Sequence, residues 1–482
     1  MHRRRTALAG AAVIALMLPA CGTRVSDQRL TAAGSLGSPV VAQAQGPAVA
    51  AADPAGTLAP AATGAGPQAG VAVPSATNGP VANTGTAGTS SRAPKPGAAA
   101  GVPAVNAAAA PCARSLEPIS IGQVGAFSGF LEPMLGGFRP GLAAWAAEVN
   151  ARGGVQCHPI RLSQRDDGSD PARTTAAIRD LVDRQKVVAM LAADVPITIG
   201  AYRAALTPAG IPTIGGDGVT PDWNADPLIF PAGVVSLTGY AGAIKAMVQA
   251  TGLKKLGLIT CVEASICGLI RDAIDDMAAK AGTTVVSKQS VSLTQTDYTS
   301  QCQSLKNAGA ETMFLTVDSS AIQRIFKSCA SIGWSPPSAT TGIAISPSTA
   351  ADPKVQAANV YLNSPTPPYF NLDLATSRAF QDAMKRYAPG ARIDQSAMNA
   401  YVAGKLFEAG LAKVAAQARS GPVTTKMILD GMHQIKDENL GGYSSVPLTF
   451  KPGPHPTGAC YYVVRINEQG LSDLSPGRPQ CL

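Results

Sequence analysis

From Ile119 onward the chain alternates short, β-rich apolar runs with segments of helical length, and this rhythm limits the possible folds more than any other feature. The runs are Ile119–Val124, Ile160–Ser163, Val187–Leu191, Pro212–Ile214, Lys255–Thr260, Thr284–Val286, Thr312–Val317 and Asn359–Leu362. Between them the spacing predicts helices over Gly136–Ala151, Pro171–Arg184, Thr198–Pro208, Leu237–Thr251, Gly268–Ala281, Tyr298–Ala308 and Ala321–Ile332, with another over Asp394–Ala418. Strands separated by helix-length crossovers pair in parallel, and the helices cover the sheet faces, so the fold class is α/β. Right-handed crossovers carry the strand C-termini to one edge of each sheet, where a ligand is expected.

The rhythm pauses near Pro227–Gly233 and again near Ser364–Phe370. These pauses are read as lobe crossovers within a domain spanning 116–482. One lobe takes about 117–234 and 371–434, and the other about 235–363 and 440–482. Two mostly parallel sheets with flanking helices then face each other across a hinge. The gap between them is a natural small-molecule site.

Before residue 116 the texture differs. Residues 1–20 read as a signal peptide, with Arg3-Arg4-Arg5 as a charged start and Ala7–Leu18 as an apolar stretch too short to span a bilayer. The stretch ends in Leu18-Pro19-Ala20-Cys21-Gly22, which looks like the lipobox of bacterial lipoproteins. That resemblance implies lipidation of Cys21, cleavage before it, and a membrane contact through the acyl chains. An ordinary secretory signal or a twin-arginine route would use the same residues. Residues 21–115 are rich in Ala, Gly, Pro, Thr, Ser and Val, with almost no large side chains to bury. They are expected to form a disordered tether of about 50 Å r.m.s. span. Glycosylation of its Thr and Ser is left open by composition.

Charge locates away from the folded part. The net charge is +8, but eight basic and only two acidic residues precede residue 116, leaving +2 for the remainder. A nucleic-acid binder would gather its basic field on the folded surface, so nucleic acid is not an expected partner. Setting Cys21 aside, eight cysteines remain, and export favours disulfides. Their order along the proposed fold suggests Cys112–Cys157, Cys261–Cys267, Cys302–Cys329 and Cys460–Cys481. His2, His158, His433 and His455 are scattered and no Cys-Xaa-Xaa-Cys occurs, so no metal site is expected.

Gly125-Ala126-Phe127-Ser128-Gly129 follows the first strand, Glu148 to Val155 closes the first helix around Gly153-Gly154, and Arg165 to Pro171 joins the second strand to the second helix. Ala209 to Ile214 leads into the fourth strand. This series resembles the leucine/isoleucine/valine-binding family of type I solute-binding proteins, over about Ile119 to Asp473. The resemblance implies a two-lobed periplasmic-binding-protein fold, a small-molecule ligand, and partnership with an ABC permease and a separate ATPase. Physically, Gly153-Gly154 can end a helix, and Asp170 with Pro171 can start one. Phe127, Ser128 and Gly129 sit at a strand tip where backbone N–H groups and a hydroxyl could meet a ligand.

In relatives that bind amino acids, the ligand carboxylate meets a hydroxyl residue and amides after the third strand. A second small or hydroxyl residue and a second-lobe acid take the ammonium. The matching places here are Ala192 to Thr198, including Asp194, then Gly215 to Thr220, where Val219 follows Gly218 near the hydroxyl position, then Gly342-Ile343, which has no carboxylate. These departures count against an α-amino acid. Asp217, Glu263 and Asp318, followed by Ser319, lie near strand tips as replacement ligand groups or as solvated loop charges. Tyr401 and Ser396 are placed near the cleft, Tyr401 and Trp145 with core roles. The expected ligand is small, polar or amino-acid-like and partly apolar, such as an amide or carboxylate.

Nucleophile-elbow, zinc-protease and phosphate-loop motifs are absent, so no catalytic residue and no cofactor is expected. The expected function is an extracytoplasmic, lipid-anchored solute-binding component of an ABC-type uptake system. The alternative is a ligand-sensing receptor lipoprotein of the same fold.

Overall fold

The computed structural model describes residue 112, residues 114–455 and residues 458–482. The expected signal peptide, Cys21 and the tether as far as residue 111 lie outside the described residues. The first sheet comprises β1 Ile119–Gly125, β2 Ile160–Asp166, β3 Ala189–Ala193, β4 Thr213–Gly216 and β5 Ile229–Phe230, in the order β2-β1-β3-β4-β5 and parallel throughout. β3 is buried at every residue, as a strand covered on both faces must be. β2 lies at the edge and is polar, yet it runs three residues past its expected end. Its ladder to β1 extends from Ile119 opposite Ile160 to Gly125 opposite Asp166.

The second sheet comprises β6 Lys255–Cys261, β7 Thr284–Val291, β8 Thr312–Thr316, β9 Ser338–Thr341, β10 Val360–Ser364, β11 Cys460–Asn467, β12 Gly470–Asp473 and β13 Gln480–Cys481. Its order is β12-β11-β10-β9-β8-β6-β7, with β13 on β11. β6 to β10 are parallel, whereas β11 returns antiparallel to β10. The expected strands omitted β5, β9 and β11 to β13. β9 reads Ser-Ala-Thr-Thr and offers no large apolar residue. It is nevertheless central, paired with β8 on one side and β10 on the other and covered by helix Ser236–Thr251. β7 outruns its expected end at Val286 because an edge strand tolerates Lys288 and Gln289.

The expected helices are present with shifted ends. The first is a turn Glu132–Leu135 followed by Phe138–Ala151, and Asp170 caps Pro171–Arg179 by accepting the Arg173 N–H at 2.8 Å. That second helix continues to Arg184 as a π turn rather than an α-helix. The long later helix runs Gln395–Lys413, and Ala375–Tyr387 and Thr425–Met432 add to the expected set. The four expected cysteine pairs are all disulfides.

Helix Gln395–Lys413 returns from the second sheet to pack on β3, β4 and helix Phe138–Ala151. Glycine sets the separation. A Cβ on Gly141 would lie 2.2 Å from the Ala397 carbonyl oxygen, and one on Gly404 would lie 2.1 Å from the Trp145 ring. Trp145 is fully buried there and donates its indole N–H to Glu408 at 2.8 Å. The chain passes between the sheets three times: after β5, after β10 and into β11. Two of these passages touch, since a Cβ on Gly233 would lie 2.6 Å from the Pro365 carbonyl oxygen. The Ser445 N–H donates to that same oxygen at 3.0 Å.

The glycine contact gives a sign test. Gly→Ala inside a helix ordinarily stabilises by about 0.5–1 kcal/mol. Gly268→Ala, in helix Ser265–Ala281 with nothing within 4 Å of its would-be Cβ, is expected to raise the Tm. Gly141→Ala is expected to lower it, through an overpacking cost of about 1–3 kcal/mol. Thermal unfolding of the two variants checks both directions.

Candidate functional site

The strand tips of both sheets converge on one cleft, which holds about 550 Å³ of empty space, part of it open to solvent. From the first sheet, Leu131 and Met134 follow β1, Pro196 and Ile197 follow β3, and Val219 follows β4. From the second, Ile266 and Ile270 follow β6, Leu293 follows β7, and Ile343 and Ala344 follow β9. Tyr240 closes one side from helix Ser236–Thr251. The Cys261–Cys267 disulfide lies in the wall and fixes the loop after β6.

The lining is almost wholly apolar, and the hydroxyls of Thr316 and Thr340 are already engaged. Thr316 donates to Thr260 at 2.8 Å, and Thr340 donates to the Leu315 carbonyl at 2.8 Å. Asp318 is the exception. It caps helix Ser319–Ser331, its Oδ1 accepting the Ser320 N–H at 2.8 Å and the Ala321 N–H at 3.3 Å. Its Oδ2 is buried and has no hydrogen-bond partner among the described residues. Burial pushes this carboxyl above its ordinary value, while the two N–H groups and Arg324 pull the other way.

The remaining candidate residues sit behind or beside the lining. The Phe127 N–H donates to Asp166 Oδ1 at 3.0 Å, and the exposed Ser128 hydroxyl donates to Asp166 Oδ2 at 2.5 Å. Burial opposes ionisation of Asp166, but Ser128, the Gly168 N–H and Arg173 outweigh it and hold the carboxyl low. Gly129 supplies the left-handed backbone of that turn at φ 83°. Thr198 begins helix Ile199–Leu206, and its hydroxyl reaches the buried Asp167 at 2.8 Å rather than the helix N–H groups. Asp217 accepts the Val195 and Val219 N–H groups, each at 2.8 Å, and so ties two strand-tip loops together.

Asp217 and Gly218 border a smaller cavity with Trp223, Pro365 and Asn399, beside the lobe crossings. Glu263 accepts from the Ser292 hydroxyl at 2.7 Å and the Leu293 N–H at 2.8 Å. Ser319 is buried against Thr349 at 2.6 Å. Gly342 backs onto the Asn363 carbonyl. Of the candidates, Val219 and Asp318 border the large cleft. Tyr401 lies in the core between Phe380 and Tyr443 and donates to Glu148 at 2.6 Å, and Ser396 donates to the Met134 carbonyl.

Sequence reasoning passed over Ile197, Leu131 and Ile343 because an apolar residue in a loop looks like core. The one available signal was position, in the loops that follow strand ends. Among the described residues no three His, Cys, Asp or Glu side chains gather as a metal site.

A family model described as periplasmic binding protein matches residues 118–471. No curated protein sequence matches the chain. Among solved structures, a branched-chain amino acid ABC transporter protein from Thermus thermophilus with bound valine superposes with a TM-score of 0.67 at 16% identity, covering 77% of this chain and 97% of that one. A fatty acid ABC transporter substrate-binding protein from Thermomonospora curvata gives 0.63 at 18%, covering 77% and 94%. A solute-binding protein from R. palustris in complex with benzoate gives 0.60 at 18%, covering 75% and 97%. At such identities the likeness is one of fold.

The acids behind the first-lobe tips carry a stability signature. Asp194 is fully buried, and neither carboxyl oxygen has a partner among the described residues. Burial, then the charges of Asp217 and Asp167, hold its pKa well above the ordinary 3.8. Burial also pushes Asp217 up to about 6. A carboxyl whose folded pKa exceeds its unfolded one binds its proton more tightly in the folded state. Its contribution is therefore complete below the unfolded value and is lost as pH rises toward the folded one. For Asp217 the falling segment lies between 3.8 and about 6. Asp194→Asn is expected to match the wild type near the acid end and to gain on it as pH rises, in a series of thermal melts. A wild type that gains on the variant with rising pH would contradict this account.

Proposed function

The chain belongs to the periplasmic binding protein family, and on that premise we propose that it is the extracytoplasmic solute-binding component of an ABC-type uptake system. It is anchored by lipid at Cys21 and takes a small molecule with an apolar body between its lobes. The observation that carries this reading is the cleft itself: loops from the tips of the parallel strands of two sheets supply one apolar wall each. The ligand expectation moves from polar or amino-acid-like toward apolar. No charged side chain other than Asp318 borders the space, and the Thr316 and Thr340 hydroxyls are spent on the protein. The benzoate and fatty acid named for two of the similar structures have apolar bodies as well.

Binding would follow the two-lobe logic. A ligand settles on one wall of the open form, closure adds the other wall, and the closed population grows by the free energy of those added contacts. The permease then recognises the closed shape, and a separate ATPase supplies the energy. The leader that stops just before Cys21 and the long tether of small residues support delivery from the membrane's outer face.

Each buried methylene contributes about 0.8 kcal/mol, or roughly fourfold in affinity. In isothermal titration of the full chain, n-alkanols are expected to bind more tightly with each added carbon until the space is full. Ile197→Trp, which places a ring in the cleft from a half-buried position, is expected to weaken binding about tenfold or more at unchanged Tm. L-leucine binding more tightly than the alkanols would overturn the apolar reading. For the anchor, Cys21→Ser is expected to move the protein from the membrane fraction to the soluble one and to abolish labelling by a palmitate analogue.

A further inference from the structure

Two cavities meet at one carboxyl. Beside the apolar cleft lies an outer space of about 530 Å³, part of it open to solvent, bordered by Phe130, Pro133, Thr294, Thr296 and Arg324. Asp318 and Leu293 border both spaces. Asp318 is only 3% exposed, and its Oδ2 is an unpartnered acceptor. Arg324 stands nearby, but its guanidinium donates to the Leu293 carbonyl at 2.7 Å and the Gln295 carbonyl at 2.9 Å, not to this oxygen. The first-lobe turn Glu132–Leu135 packs against helix Ser319–Ser331, which Asp318 caps. Closing the lobes thus covers the carboxyl.

We infer that Asp318 reads the ligand's head group: the cleft takes an amphiphile whose apolar body fills the inner space and whose hydrogen-bond donor, a hydroxyl or an N–H, meets Oδ2 at the waist between the cavities. This inference rests on the proposed reading of the cleft as the ligand site. A covered acceptor without a partner is costly, whereas a donor placed opposite it recovers that cost. Closure over a ligand lacking a donor strands the oxygen, and closure over one carrying a donor does not. The same geometry disfavours an anionic head, which would add like charge beside the carboxyl.

The test keeps ligand size constant and removes only the donor. 1-Heptanol and 1-methoxyhexane have the same heavy atoms, but only the alcohol donates. Heptanoate adds the anionic head. Titrated into the full-length protein, heptanol is expected to bind about tenfold or more tightly than the ether, and heptanoate more weakly than heptanol. Asp318→Asn keeps the helix cap and removes the charge, and Asp318→Ser keeps the cap and shortens the reach, so both variants should fold. In each, the alcohol-to-ether ratio is expected to fall below about threefold. Equal binding of alcohol and ether to the wild type, a preference for heptanoate, or a ratio that survives both substitutions overturns this inference alone. Failure of every probe to bind overturns the reading of the cleft, and this inference with it.

Discussion

Everything in this molecule follows from the direction of its strands. A parallel sheet needs a crossover for every added strand, and the crossovers bury both faces under helices. Only the edge formed by the strand tips is left to meet a solute. With parallel strands at the heart of both sheets, each tip loop has two duties: to satisfy its own backbone and to present a wall. The first lobe divides these duties within a few residues. In the loop after β3, Asp194 turns inward while Ile197 faces the cleft. In the loop after β4, Asp217 holds the Val195 and Val219 N–H groups from behind, and the Val219 side chain lies in front. Asp217 thus sets the positions of the loops whose apolar residues line the site.

The rhythm of the fold was legible because strands such as Lys255–Cys261 and Ala189–Ala193 are mostly apolar runs, and glycines such as Gly252 and Gly282 end the helices that precede β6 and β7. β9 was hidden because its burial comes from its place between β8 and β10 and not from large apolar residues, and no periodicity records that place. The edge strands β2 and β7 ran further than their apolar cores suggested, since pairing on one side carried their polar ends. The cysteine pairs could be read from order alone, because each joins neighbours along the fold.

The site was less legible. Reasoning from residue chemistry sought hydroxyls and carboxylates near strand tips and found Ser128, Asp217, Glu263 and Asp318 there. Which way each side chain turns depends on where N–H groups are left over once the loops are folded. Ser128 turns to Asp166, and Glu263 turns to Ser292 and the Leu293 N–H. Asp318 satisfies one oxygen on its helix and leaves the other facing no partner among the described residues. The apolar lining itself carries no chemical label in a sequence.

The three passages between the sheets have a mechanical consequence. Gly233, Pro365 and Ser445 lie in contact, so the connections bear on one another like the knuckles of a door hinge. A single linker would let the halves twist and slide in any direction, but bundled linkers suppress those motions and leave swinging about a common axis. The rim far from that axis travels furthest, and the part next to it hardly moves. A solute therefore enters from the outer side, and the groups nearest the pivot keep almost the same spacing whether the jaws are apart or together.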